Sequence, residues 1–290
     1  MTRTRVLAAL VMAPAAIAAI VLLSTPWLAA LAALVLLMGL WEWLKLAGVE
    51  DTLPRIVLVG LNLSLMVLLV WASRDAAGIN PALFQIVTLV GALAWLLAPL
   101  WLWRPGFTAA DRPWARAFKL AAGTVAVLPA WAALCLLHSG NFASLAGLPE
   151  AGGGHGPRWL LAALALVWAA DSGAYFAGRH LGRRKLAPTI SPNKTVEGAV
   201  GGLLAGVAVA IGLGLWAGAG SAQLPALALV AALAVAVSIV GDLVESLLKR
   251  QAGVKDSGHL IPGHGGILDR IDGVLAAVPV FVVGKEILGF

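Results

Sequence analysis

One cysteine and one tyrosine stand among 290 residues, and only 12% of the chain is charged against 61% that is hydrophobic. A lone Cys135 excludes an intramolecular disulfide, and with five histidines scattered along the chain no zinc-type cluster is present. Cys135 lies inside an apolar run and reads as a small buried hydrophobe. The chain also lacks a GxSxG elbow, a GxxxxGKS loop and any GxGxxG placed after a strand, so covalent nucleophilic catalysis and Rossmann-type binding have no support. Charge this scarce, with a mean hydropathy of +0.94, excludes a water-soluble domain. The net charge of +6 is spread through short loops without a stripe of exposed aromatics, which argues against nucleic acid and for anionic lipid and phosphate as partners.

What is present is a series of apolar runs. A bilayer core of about 30 Å takes roughly 20 helical residues. About nine runs reach that length, at 6–24, 27–46, 55–73, 82–103, 118–138, 158–178, 197–218, 223–247 and 271–289. The expected fold is an all-α, polytopic integral membrane bundle. Residues 1–138 would hold about five N-terminal spans, and 139–290 the region with the chemistry. Arg3, Arg5 and the alanines at 13, 15 and 16 imitate a signal peptide, but the apolar stretch runs on past them, so an uncleaved first helix is expected. Of the 20 basic residues all but Arg74, Arg158 and Lys285 fall on one side if the N-terminus is inside. This predicts a cytoplasmic N-terminus and an outside C-terminus.

Trp27, Trp41, Trp43, Trp71, Trp101, Trp103, Trp114 and Trp159 fall near span ends and are expected at the interface. The basic segment 104–119 is expected to lie along the cytoplasmic surface. The glycine-rich stretch 147–156 reads as an outside loop, with His155 a solvated loop residue. Gly198, Gly202 and Gly206 form a small-residue stripe that suits close helix packing, within a protomer or across a homodimer.

The scarce charge is concentrated in three clusters. Asp171 sits within the sixth run, with Tyr175 one turn later, and an intramembrane aspartate is by default a functional candidate. Ser191-Pro192-Asn193-Lys194-Thr195 leads into the seventh run. Its side chains can cap a helix, whose N-terminus with Lys194 beside it also favours phosphate. In the eighth run Asp242 and Glu245 are three apart and Ser246 follows, so they share a helical face. The last cluster continues from Ser246 to Asp272, SLLKRQAGVKDSGHLIPGHGGILDRID. It holds Lys249, Arg250, Lys255, Asp256, His264, Asp269, Arg270 and Asp272, with Gly263, Gly265 and Gly266 at a turn where backbone N–H groups can approach an anion. Asp269 and Asp272 repeat the three-residue spacing at the start of the ninth run. Such a carboxylate set suits a hard divalent cation, and an internal salt-bridge network with Lys249, Arg250 and Arg270 is the competing explanation. His264 alone reads as a hydrogen-bonded loop residue; between these glycines it becomes a phosphate donor.

Ser246, an aliphatic, Lys249-Arg250, Lys255-Asp256, His264-Gly265-Gly266, an aliphatic, Asp269-Arg270, an aliphatic and Asp272 resemble, without departure, the signature of the phosphatidate cytidylyltransferases, the CDP-diacylglycerol synthases. The clusters at Asp171–Lys185 and Gly241–Ser246 are similar to that family too, whereas the N-terminal half resembles it only in hydropathy. The resemblance implies CTP + phosphatidate → CDP-diacylglycerol + pyrophosphate. It further implies one or two Mg²⁺, with Mn²⁺ as a substitute, at the cytoplasmic face of a bacterial inner membrane. Metal ligands would come from Asp242, Asp256, Asp269 and Asp272, with Asp171 and Glu245 in support. Lys194, Lys249, Arg250, Lys255 and Arg270 would neutralise phosphate. Ser191, Asn193, Gly265, Gly266 and Tyr175 would contact substrate, and His264 and Lys249 would assist transfer. The rival enzyme is a CTP-dependent lipid kinase acting on a polyprenol. A transporter would instead carry charge near the midplane of several helices.

Overall fold

The computed structural model describes residues 13–76, 78–109, 112–140, 155–258 and 265–290. Arg3, Arg5, residues 147–154, Gly263 and His264 lie outside the described residues. Within them run nine helices: α1 (Ala13–Leu22), α2 (Thr25–Leu46), α3 (Thr52–Ala72), α4 (Ala82–Trp103), α5 (Pro113–Ser139), α6 (Gly156–Leu181), α7 (Val196–Trp216), α8 (Leu224–Gln251) and α9 (Leu268–Leu288). Two short antiparallel pairs connect them, β1 (Arg74–Asp75) with β2 (Gly78–Ile79), and β3 (Lys185–Ala187) with β4 (Ser191–Thr195). Proline occupies the first turn of α2, α5, α6 and α8, where its missing N–H costs nothing. Gly140 and Gly289 end α5 and α9 in the left-handed region, with φ of 63° and 66°.

Seven of the described helices are long and apolar enough to cross a membrane. The protein is a multi-pass, all-α membrane protein. Of the other two, α1 (Ala13–Leu22) is among the shorter apolar helices. The 21-residue α9 is set apart by Asp269, Arg270 and Asp272 at one end and Lys285 and Glu286 at the other. That charge is tolerable because α9 is the centre of the bundle: it packs against α2, α4, α5, α6 and α8, and Gly273 to Val283 are buried without a break. Near its far end Gln85 Nε2 of α4 donates to Glu286 Oε1 at 3.0 Å, a buried polar pair. The outer helix α3 turns Leu53, Ile56, Val57 and Leu61 outward, where hydrocarbon solvates them.

The basic segment 104–119 holds a 3₁₀ turn at Pro105–Phe107 and the first turns of α5 from Pro113, and most of its described residues are exposed. One expectation is corrected. Trp27, Trp71, Trp103 and Trp114 are exposed, but Trp43, Trp101 and Trp159 are buried in the bundle. Trp43 Nε1 donates to the Lys119 carbonyl at 2.8 Å and Trp101 Nε1 to Thr108 Oγ1 at 2.8 Å, so these indoles fasten helix ends to each other.

The glycine stripe works inside the chain. Gly198, Gly202 and Gly206 of α7 face the carbonyls of Ala174, Ala170 and Leu166 on α6, and a Cβ at Gly202 would stand 2.7 Å from the Ala170 oxygen. In lipid such close backbone approach, rather than apolar burial, holds helices together. Gly202→Ala should therefore lower the unfolding midpoint in detergent, by an amount equivalent to about 1–3 kcal/mol of overpacking. Gly212→Ala on the same helix, where a Cβ meets nothing within 4 Å, should leave it unchanged.

Candidate active site

Asp242 and Asp272 meet because Gly241 lets α8 and α9 touch. A Cβ there would lie 2.6 Å from the Asp272 carbonyl oxygen and 2.8 Å from Ala276 Cβ, a gap only glycine can leave. Each aspartate is thereby brought to the same point from its own helix. Glu245, one turn along α8 and 1% exposed, completes the group: one oxygen each from Asp242, Glu245 and Asp272 lie within 4.8 Å of one another. Asp171 of α6 lies within electrostatic reach of Asp242, Lys194 and Arg270.

Cations are interleaved with these carboxylates. Lys194, delivered by β4, ion-pairs with Asp242. Lys249 Nζ stands 2.5 Å from Glu245 Oε2, one turn back on its own helix, and 2.7 Å from Asp269 Oδ1 on α9. Ser246 Oγ lies 3.5 Å from Asp242 Oδ1. The hairpin that carries Lys194 pairs Lys185 with Thr195 and Ala187 with Ser191. It is closed onto α7 by Glu197, which accepts from the Arg183 and Arg184 backbone N–H groups at 2.9 and 3.1 Å. Thr195 Oγ1 caps α7 by accepting from Gly198 N at 3.1 Å, so the capping role expected of this segment is real and falls to Thr195.

Asp269 is used differently from Asp272. Its Oδ2 accepts from Gly266 N at 2.8 Å and Ser257 N at 3.2 Å, while Oδ1 takes Lys249. The Gly266 N–H expected to face a phosphate thus faces a carboxylate of the chain itself. Gly265 makes the turn at a φ of 84°. Arg250 Nε donates to the Ile190 carbonyl at 3.3 Å, tying α8 to the hairpin. Ser191 is half-buried and Asn193 exposed on that hairpin. Tyr175 is 57% exposed and accepts from Arg179 at 2.8 Å. Lys255 and Asp256 are exposed on the α8–α9 loop, and His264 falls outside the described residues.

Two cavities reach residues of this region. One, of 500 Å³, has apolar walls from α1, α2, α5, α6 and α9, including Leu31, Val35 and Leu164, and ends in Asp171, Asp269 and Arg270. The other, of 730 Å³, is lined by Ser257 and is polar, with Lys45, Arg112, Arg116, Lys119 and Lys255 around it against Glu50 and Asp256. Its four cations from α2 and around the start of α5 are not in the sequence signature. What marks them is that they are basic residues of short loops at the same end as the motifs.

Three carboxylates this close suit one cation. Oxygens held at about 2.0–2.6 Å around a single hard ion lie within roughly 5 Å of each other. Glu245 Oε1 is buried with no hydrogen-bond partner among the described residues, an acceptor for which such an ion would compensate. Asp272→Asn should consequently preserve the unfolding midpoint while transfer activity falls by about 10²–10³. Asp269→Asn should act on the fold instead, since it unbalances Lys249 and loosens the loop, with a loss of roughly 3–5 kcal/mol for a broken buried pair. Parallel melting curves and turnover assays on the two variants check the split.

Residues 3–288 match a model of the Cytidylyltransferase family. A phosphatidate cytidylyltransferase of Pseudomonas aeruginosa is 40% identical over 287 residues, covering 97% of this chain and 96% of that protein. One of Haemophilus influenzae is 34% identical over 289 residues, 97% of each. A Bacillus subtilis protein of the same name is 42% identical over 125 residues, 43% of this chain and 46% of its own length. With that match running almost from end to end, and the carboxylates, lysines and glycines of its signature brought to one end of the bundle, the chain belongs to the cytidylyltransferase family.

Proposed function

We propose that the chain is a phosphatidate cytidylyltransferase, joining CTP and phosphatidate to give CDP-diacylglycerol and pyrophosphate. The observation that carries the lipid assignment is the 500 Å³ cavity, apolar along its walls and ending at Asp171, Asp269 and Arg270 beside the carboxylate group. A diacyl tail fits such walls, and a phosphate monoester fits the end that holds a guanidinium. The basic cavity lined by Ser257 suits the opposite substrate, a water-soluble polyanion.

The reaction needs no nucleophile from the protein. An oxygen of the lipid phosphate forms a bond to the α-phosphorus of CTP as the bond from that phosphorus to the bridging oxygen of pyrophosphate breaks, and pyrophosphate leaves with the electron pair. Asp242, Glu245 and Asp272 would hold Mg²⁺ or Mn²⁺. That ion, when bound, supplies charge neutralisation at the phosphates. Arg270 orients the lipid phosphate, and Lys194 and Lys249, paired with Asp242, Glu245 and Asp269, hold these carboxylates in place until substrate arrives. Lys45, Arg112, Arg116, Lys119 and Lys255 draw in the triphosphate and balance the departing pyrophosphate.

The site belongs at the cytoplasmic face of a bacterial inner membrane, a reading supported by Arg74, Arg158 and Lys285 being the basic residues left at the opposite end. Cysteines placed at Arg112, Arg184 and Lys255 in a Cys135→Ala background should resist an impermeant thiol reagent in intact cells and react once the inner face is opened. Labelling from outside would reverse the orientation. Purified protein given phosphatidate, Mg²⁺ and CTP labelled at the α-phosphate should place label in lipid, whereas label passing only from the γ-phosphate would identify a lipid kinase. Chelator should abolish the transfer and Mg²⁺ or Mn²⁺ restore it; full turnover in chelator would remove the metal from the mechanism.

A further inference from the structure

A carboxylate far outside the signature reaches the active-site loop. Glu42 of α2 lies in the run Trp41-Glu42-Trp43-Leu44 and is only 3% exposed. Its Oε2 accepts two hydrogen bonds, from Ser257 Oγ at 2.9 Å and from Leu268 N at 2.8 Å. Both ends of the α8–α9 loop are therefore held by one oxygen of a helix more than two hundred residues away in sequence, the Ser257 separation being 215. The loop is built around this side chain: a Cβ at Gly258 would strike Glu42 Oε1 and Cδ, and a Cβ at Gly266 would strike Glu42 Oε2 and Ser257 Oγ. Leu268 is the first residue of α9, one before Asp269 and four before Asp272.

We infer that Glu42 is a positioning residue for the metal-binding carboxylates, acting through the start of α9 rather than by touching substrate. Its hydrogen bond to Leu268 N fixes the axial position and rotation of the first turn of α9, and hence the direction of Asp272 toward Asp242 and Glu245. Its bond to Ser257 Oγ fixes the strand of loop whose backbone N–H binds Asp269. Asp269 closes the same loop from inside through Ser257 N and Gly266 N. Two carboxylates, one from each half of the chain, thus grip the same few residues. A buried carboxylate at this depth is costly, and here Oε2 accepts from both donors while Oε1 is buried with no hydrogen-bond partner among the described residues.

The inference rests on the metal-dependent reading above, and its test separates the two. Mn²⁺ binding to the purified protein is followed by electron paramagnetic resonance without nucleotide or lipid, and transfer from α-labelled CTP is measured beside it. Glu42→Ala should weaken Mn²⁺ binding by about 10–100-fold, the range for a lost supporting contact, and raise the Mg²⁺ needed for half-maximal turnover in proportion. Glu42→Gln, whose amide oxygen can take the Oε2 position and accept both bonds, should bind Mn²⁺ like the wild type. Ser257→Ala, which removes one donor and leaves its backbone N–H on Asp269, should show a smaller shift in the same direction with an unchanged unfolding midpoint. It carries the test if Glu42→Ala does not accumulate. Wild-type Mn²⁺ binding in the Glu42→Ala or Ser257→Ala protein, even with a lowered midpoint, would reduce Glu42 to a structural contact and overturn the inference. A wild-type protein that neither binds Mn²⁺ nor transfers label would overturn the functional reading itself.

Discussion

Lys249 is the charge on which the arrangement turns. Asp242, Glu245, Asp269 and Asp272 lie on two adjoining helices inside a membrane protein, where mutual repulsion is weakly screened. The ammonium between Glu245 and Asp269 ties α8 to α9 and lowers the negative charge that the helices would otherwise carry into contact. Lys194 does the same for Asp242 from the hairpin. A site prepared in this way still holds a Glu245 oxygen with no hydrogen-bond partner among the described residues, and the function proposed above gives that oxygen to a cation. On that reading the salt-bridge network and the metal site weighed against each other in the sequence are one structure, in which the network positions the ligands.

Helix packing supplies the distances. Gly241 brings α8 and α9 into contact at the site, and the glycine seam on α7 locks it to α6, which carries Asp171, while β4 delivers Lys194 at the mouth of that pair. Of the two cavities, the apolar one reaches Asp171, Asp269 and Arg270, and the basic one is lined by Asp256 and Ser257 of the α8–α9 loop. This division suits a reaction that joins a lipid to a nucleotide.

Much of this was legible in the sequence, because polar residues in an apolar chain are conspicuous and a span needs a fixed length of helix. The run at 82–103 coincides with α4, and the clusters around Asp171, Lys194, Asp242 and Asp272 gather at one end of the bundle as their order in the chain implies. Spacing alone could not separate Asp269 from Asp272. Three residues apart they share a helical face broadly, yet a rotation of about 60° points one at its own loop and the other at α8. Glu42 was missed for a different reason. It is a single carboxylate in a run that passes as a span, and its partners lie 215 and 226 residues away. Trp43, Trp101 and Trp159 stand at span ends in sequence, but neighbouring helices cover them, and hydropathy does not encode neighbours.

The polar pairs at the two ends of α9 bear on motion. Near its start Leu268 N is bonded to Glu42, and near its other end Glu286 is bonded to Gln85 of α4, both in buried surroundings. Sliding or twisting α9 by even one residue would unmake one of these bonds where water cannot replace it. The helix therefore behaves as a fixed axle, not a piston.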